Sequence, residues 1–217
     1  MSWKHGGAGR RGYHHGNLRE ALIQSALSLI GEKGPAGFTI AEAARSAGVS
    51  PAAPYRHFRD REDLMADVAR LGFERFAADL EKAWHGGNPS PLEALQNVGR
   101  AYLAFARNEP AYYAAMFDSG LPKTPNEPLE QSANRSFELL HTATKRLVEK
   151  LPEADRPPPQ MVALHIWSLS HGIASLFGRQ NGDKRIPVSP EELLEAAVLI
   201  YLRGLGLAGG AAPAATA

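Results

Sequence analysis

Residues 39 to 61 hold side chains whose types and spacing suit a polyanion. Tyr55 and His57 can each donate a hydrogen bond to a phosphate oxygen. Arg56 can meet either a phosphate or the paired acceptors on a guanine edge. Ser50, Ala52 and Ala53 share the exposed side of this segment, beside Pro51. Small residues at 52 and 53 permit close approach to a groove and contact with thymine methyls. Thr39 and Arg61 stand at two helix starts, where the positive end of the helix dipole favours an anion.

The elements that position these groups are legible from capping signals. Phe38 to Phe58 reads as a helix, a glycine turn at Gly48 and a short second helix, the pattern of a helix-turn-helix. A preceding helix starts at Asn17, with Glu20 completing a capping box, and ends at Gly34-Pro35. Thr39 caps the next helix with Glu42 as its partner. Ser50 is expected to cap the third helix, with Pro51 at its first position. Leu22, Ala26 and Ile30 should pack on Ile40, Ala44 and Val49.

Beyond this head the chain reads as more helix. Asp60 caps a long helix to about Trp84, with Leu64, Val68, Leu71, Phe76 and Leu80 inward. Ser90-Pro91-Leu92-Glu93 starts another, which Pro110 breaks before a short segment, 111–117. Helices over 129–150, 161–177 and 190–207 complete the count at about nine. The last two are apolar on nearly every side and so need covering, most simply by a second copy of the chain. No segment alternates as a strand would, which makes the fold class all-α.

Composition is that of a globular protein, with 217 residues, 44% apolar and 22% charged. The net charge of +1 divides unevenly: residues 1–61 sum to +5 and the remainder to −4. A basic head on an acidic body points to a polyanion bound at one end. There is no cysteine, so disulfides and thiolate metal sites are excluded. No apolar run is long enough for a bilayer, and Met1 to Gly16 lacks the apolar core of a signal peptide. The expectation is a cytoplasmic, nucleoid-associated protein with no membrane partner.

Several residues carry a closer likeness. The spacing from Gly34 to Thr39, the Ile40-Ala41 start, Ala47-Gly48-Val49-Ser50 and Tyr55-Arg-His-Phe58 followed by Glu62-Asp63-Leu64 together resemble the TetR family of bacterial transcriptional repressors. The match covers residues 18 to about 70 and is only architectural beyond. It implies that Thr39, Ser50, Tyr55, His57 and Arg61 touch phosphates and that positions 50 to 56 face base edges. It implies a homodimer through the last two helices and a double-stranded DNA operator as partner. It also implies an effector cavity in the larger half, with Tyr102, Phe105, Tyr112, Tyr113, Met116, Phe117, Phe137, His141, Trp167 and His171 as candidates. Aromatic walls with a few polar tips suit a small apolar or aromatic effector.

Pro54 departs from the family, which usually has Leu, Ile or Val there. It removes the first intrahelical hydrogen bond, to Ser50, and drives Ala53 from α geometry, so a late or tight start is expected. The domain division follows: 1–16 a disordered basic arm able to reach a minor groove, 17–62 the DNA-binding head, 63–208 the ligand-binding and dimerisation body, 209–217 a disordered tail.

No cofactor is called for. His141, His165 and His171 lack the three- or four-residue spacing of helical metal ligands, and no metal is expected. Gly7 to Gly12 matches a dinucleotide fingerprint literally but has no strand before it. Competing classes are a helical enzyme using the histidine-bearing cavity and a sequence-blind DNA packaging protein.

Overall fold

The computed structural model describes residues 18–120, 125–177 and 187–208. The expectations for the basic arm, the Asn17 cap, the glycine fingerprint and the tail lie outside the described residues. The described chain forms eight α-helices: α1 (Leu18–Lys33), α2 (Ile40–Ser46), α3 (Arg61–Trp84), α4 (Pro91–Asn108), α5 (Pro110–Phe117), α6 (Glu127–Val148), α7 (Pro159–Phe177) and α8 (Pro190–Gly204). No strand occurs among the described residues, and no helix there is long and apolar enough to cross a membrane.

The ninth helix, expected over 50–58, is instead a turn leading into a 3₁₀ segment, Ala53–Arg56. The cause is Pro54, which has no N–H to give Ser50 and disfavours α geometry at Ala53. Ala53 N–H reaches the Ser50 carbonyl at 3.0 Å, a 3₁₀ contact. The Ser50 side chain caps nothing in this segment; the cap position falls at Ala52.

The other boundaries follow their local chemistry. Gly34 takes φ +77° and closes α1, its N–H 2.8 Å from the Ile30 carbonyl. Thr39 and Glu42 form the expected capping box on α2. Asp60, Ser90 and Ser189 cap α3, α4 and α8 through their side chains. Asn126 caps α6, whose first residue, Glu127, lies two residues ahead of the expected start.

In the head, Leu22, Ala26 and Ile30 of α1 pack with Ile40, Ala43 and Ala47, while Val49 is half-buried at the edge. α3 is the shaft of the molecule, 24 residues long, or about 36 Å. It packs against α1 at its start and against α4, α5 and α6 along its length. The head also rests on α5, through α1. α7 lies on α6 and α8.

Candidate nucleic-acid interface and ligand cavity

The 3₁₀ segment is anchored by its apolar members. Pro54 is fully buried, and Phe58 retains only 3% exposure. Both His57 and Phe58 return their N–H to the Pro54 carbonyl, at 2.8 and 2.9 Å. This leaves Ser50, Pro51, Ala52, Tyr55, Arg56 and His57 exposed, with Ala53 half-buried. Tyr55 keeps 58% of its surface open, unusual for a ring beside a core. The departure at 54 therefore has a packing role: proline fills the space beneath the turn that the next three tips stand on.

Thr39 and Arg61 are placed differently from these tips. The Thr39 hydroxyl accepts from Glu42 N–H at 3.2 Å and donates to the Glu42 carboxylate at 3.1 Å. Lys33 Nζ lies 2.9 Å from the same carboxylate. The Lys33 hydrogen bond, then those of Thr39, hold the Glu42 carboxyl down to about 2. Arg61 turns back into the head. Its Nε donates to the Phe38 carbonyl at 2.8 Å, its Nη2 donates to the Pro35 carbonyl, and its guanidinium lies 4.8 Å from the Phe38 ring centre. The side chain ties the start of the shaft to the loop before α2.

At the other end of the shaft is a cavity of about 240 Å³. Phe73, Phe76 and Leu80 of α3 form one wall, and Leu95, Val98 and Tyr102 of α4 another. Phe117, Phe137, Leu140, Ile166 and Trp167 close it from α5, α6 and α7. Ser136 and Ser170 on the wall give their hydroxyls to backbone carbonyls, Asn134 stands at the exposed edge, and Tyr102 carries the buried polar group. The Tyr102 hydroxyl is 3.0 Å from His171 Nδ1 and 3.4 Å from the Tyr113 hydroxyl, and Trp167 Nε1 donates to it at 3.4 Å. Tyr113 reaches the same His171 nitrogen at 2.9 Å. Burial pushes both phenols above their ordinary range, Tyr102 the further, so both stay protonated and neutral.

Of the candidates, Tyr102, Phe117, Phe137 and Trp167 line this cavity. Tyr113 and His171 stand behind Tyr102 in the polar cluster. Phe105 packs on Phe76 at 5.1 Å between ring centres. Met116 lines a separate groove along α3, with Met65 and Ala69. Tyr112 lies beneath Arg75, 4.7 Å from ring centre to guanidinium. His141 is half-buried on α6, its Nδ1 3.5 Å from the Glu138 carboxylate. No group of three metal-ligating side chains occurs among the described residues. The residues that sequence reasoning missed are chiefly aliphatic and phenylalanine walls, Phe73, Leu95, Val98, Leu140 and Ile166. Their helical spacing is that of any packed core.

Comparison with known proteins agrees with this layout. Residues 22–68 match the model described as bacterial regulatory proteins, tetR family. Residues 95–201 match the model described as tetracyclin repressor-like, C-terminal domain. The chain is 42% identical over 52 residues to the HTH-type transcriptional regulator BetI of Rhizobium meliloti, a stretch covering 24% of this chain and 26% of BetI. It is 25% identical over 141 residues to the nucleoid occlusion factor SlmA of Vibrio cholerae, covering 62% of this chain and 68% of that protein. A solved protein of unknown function from Rhodococcus sp. RHA1 superposes with a TM-score of 0.74 at 29% identity, over 90% of this chain and 98% of that one.

Proposed function

Because the chain belongs to the TetR family of bacterial regulatory proteins, we propose that it is a dimeric transcriptional repressor released from a palindromic operator by a small apolar or aromatic effector. It acts on double-stranded DNA in the cytoplasm. The head, residues 17–62, reads DNA; the body, residues 63–208, holds the effector and pairs the chains.

The observation that carries this reading is the row of open tips, Tyr55, Arg56 and His57, on a turn nailed down by buried Pro54 and Phe58. A rigid, exposed polar ridge with small residues beside it suits insertion into a groove. Pairing is supported by α7 and α8, where Met161, Leu176 and Ile200 are exposed. Apolar side chains concentrated on two adjacent helices are what a second copy would cover. The effector role is supported by the cavity at the far end of α3, whose near end carries the head. An effector that favours one tilt of this shaft changes the separation of two paired heads.

The enzyme alternative finds less support in the geometry. His171 meets Tyr102 and Tyr113 through Nδ1 and is not among the residues that line the cavity.

The test is selection of bound DNA from a random pool. The expected product is a palindrome whose half-sites are about one helical turn apart, roughly 34–36 Å. Recovery of unenriched DNA, or sedimentation of the protein as a monomer, defeats the proposal.

A further inference from the structure

The cavity wall is mostly apolar: the Ser136 and Ser170 hydroxyls on it are spent on backbone carbonyls, Asn134 stands at its exposed edge, and the buried polar group left is Tyr102, which has a defined hydrogen-bond sense. Trp167 Nε1–H can only donate, and it points to the Tyr102 hydroxyl oxygen. His171 Nδ1 presents one lone pair or one proton, so it serves one of its two phenol neighbours well. Tyr113 is the nearer, at 2.9 Å against 3.0 Å, and the two phenols are 3.4 Å apart. The Tyr102 oxygen thus receives a proton from Trp167, while its own proton shares the single His171 nitrogen with Tyr113. Tyr102 lines the cavity. A ligand acceptor placed against it completes the set.

Charge and size narrow the ligand further. No Asp, Glu, Lys or Arg is among the residues lining the cavity. An ionised group held there would lose its hydration without a counter-charge in the wall. A cavity of about 150 Å³ holds benzene. At that ratio, the roughly 240 Å³ here holds about ten non-hydrogen atoms. Phe76, Tyr102, Phe117, Phe137 and Trp167 offer ring faces and edges suited to a flat guest.

We propose that the effector is an uncharged, single-ring molecule of about ten non-hydrogen atoms, bearing one hydrogen-bond acceptor that meets the Tyr102 hydroxyl; this rests on the cavity being the effector site. The acceptor is a carbonyl or ether oxygen, and the rest of the molecule is buried hydrocarbon.

Three probes separate the components of this proposal: propiophenone, propylbenzene and 3-phenylpropanoate, each titrated calorimetrically into the full-length protein near neutral pH. Propiophenone should bind most tightly. Propylbenzene, without the acceptor, should bind about three- to tenfold more weakly, the worth of one neutral hydrogen bond. The carboxylate should bind least. Tyr102→Phe should erase the advantage of the ketone over the hydrocarbon while leaving the hydrocarbon's affinity in place. Ala133→Phe, at the cavity wall, should fill the space and remove binding of both without touching the polar cluster. Carboxylate binding equal to the ketone's, silence from all three probes, or a ketone preference surviving Tyr102→Phe overturns the ligand class. Tight ketone binding that leaves operator affinity unchanged instead removes the repressor reading and leaves the ligand class standing.

Discussion

Arg61 offers the sharpest test of how the head is built. The family likeness makes it a phosphate contact, whereas the structure turns its guanidinium onto the carbonyls of Pro35 and Phe38 and over the Phe38 ring. Arg61→Ala removes two hydrogen bonds from a charged donor, each about 1.5–3 kcal/mol, and a cation–π contact of about 0.5–1 kcal/mol. Arg61 is only part-buried, so each interaction belongs at the low end of its range, for a total of about 3.5 kcal/mol. In a chain of this size each kcal/mol shifts Tm by about 2–4 °C, so the fall should be roughly 7–14 °C. Operator affinity should fall too, because the loop before α2 loses its tie to the shaft. The slope of log K against log salt should hold, since no phosphate partner has gone. Arg56→Ala should do the reverse, lowering the slope by about 0.9 with little change in melting. Arg61→Lys keeps the charge but not the fork, and should melt like Arg61→Ala. Differential scanning fluorimetry and anisotropy titrations at several salt concentrations read both quantities. A salt slope reduced by about 0.9 in Arg61→Ala, with melting unchanged, would show the arginine gripping DNA and refute the strap.

Three further predictions follow from other sites. The Glu42 carboxyl, held down to about 2 against an ordinary 4.5, contributes stability that is complete above its unfolded pKa and lost as pH falls from about 4.5 to 2. The Tm gap between the protein and Glu42→Gln should therefore be present at pH 6 and close across that window; a gap constant with pH refutes it. Ile200→Asp changes a side chain that is 70% exposed in the single chain, so it should leave the fold intact and turn the proposed dimer into a monomer in sedimentation. Gly72→Ala places a Cβ 2.8 Å from Met116 Sδ and 3.3 Å from the Tyr112 ring. The thioether can move, so the cost should be about 1 kcal/mol, the low end for overpacking, seen as a Tm drop of about 2–4 °C; no drop means α5 sits more loosely on the shaft than described.

What could be read in advance depended on how local its cause was. Thr39 with Glu42, and Ser90 ahead of Pro91, are side chains bonding backbone three residues on, so sequence order alone exposes them. The tight turn at Pro54 belongs to the same class, because a missing N–H acts on its own neighbours. That Pro54 is also buried could not be seen, since proline usually lies at the surface. The cavity was half visible for a related reason. Tyr102, Phe117, Phe137 and Trp167 stood out as aromatic, but Val98 or Ile166 lining a void has the same spacing as Val98 or Ile166 in a solid core. The meeting of Tyr102 with His171 spans 69 positions, and only the packing of α4 against α7 brings it about. For Arg61 the sequence showed a position suited to an anion, but not that its length and fork also reach the carbonyls of Pro35 and Phe38.

The tight turn at 53–56 also bounds what one copy of the chain can distinguish. Four residues of 3₁₀ backbone advance about 8 Å, little more than two base-pair steps of about 3.4 Å. Residues three apart eclipse one another in this geometry, so Tyr55 stands above Ala52 and Arg56 above Ala53. Tyr55 and Arg56 diverge by about a third of a turn, so one tip of the ridge can meet the groove floor while its neighbours meet the backbone walls. Such a short reader discriminates few letters by itself. In the proposed dimer, selectivity then comes as a product of two brief inspections, fixed by the distance between them, the quantity that the proposed guest inside the body would change.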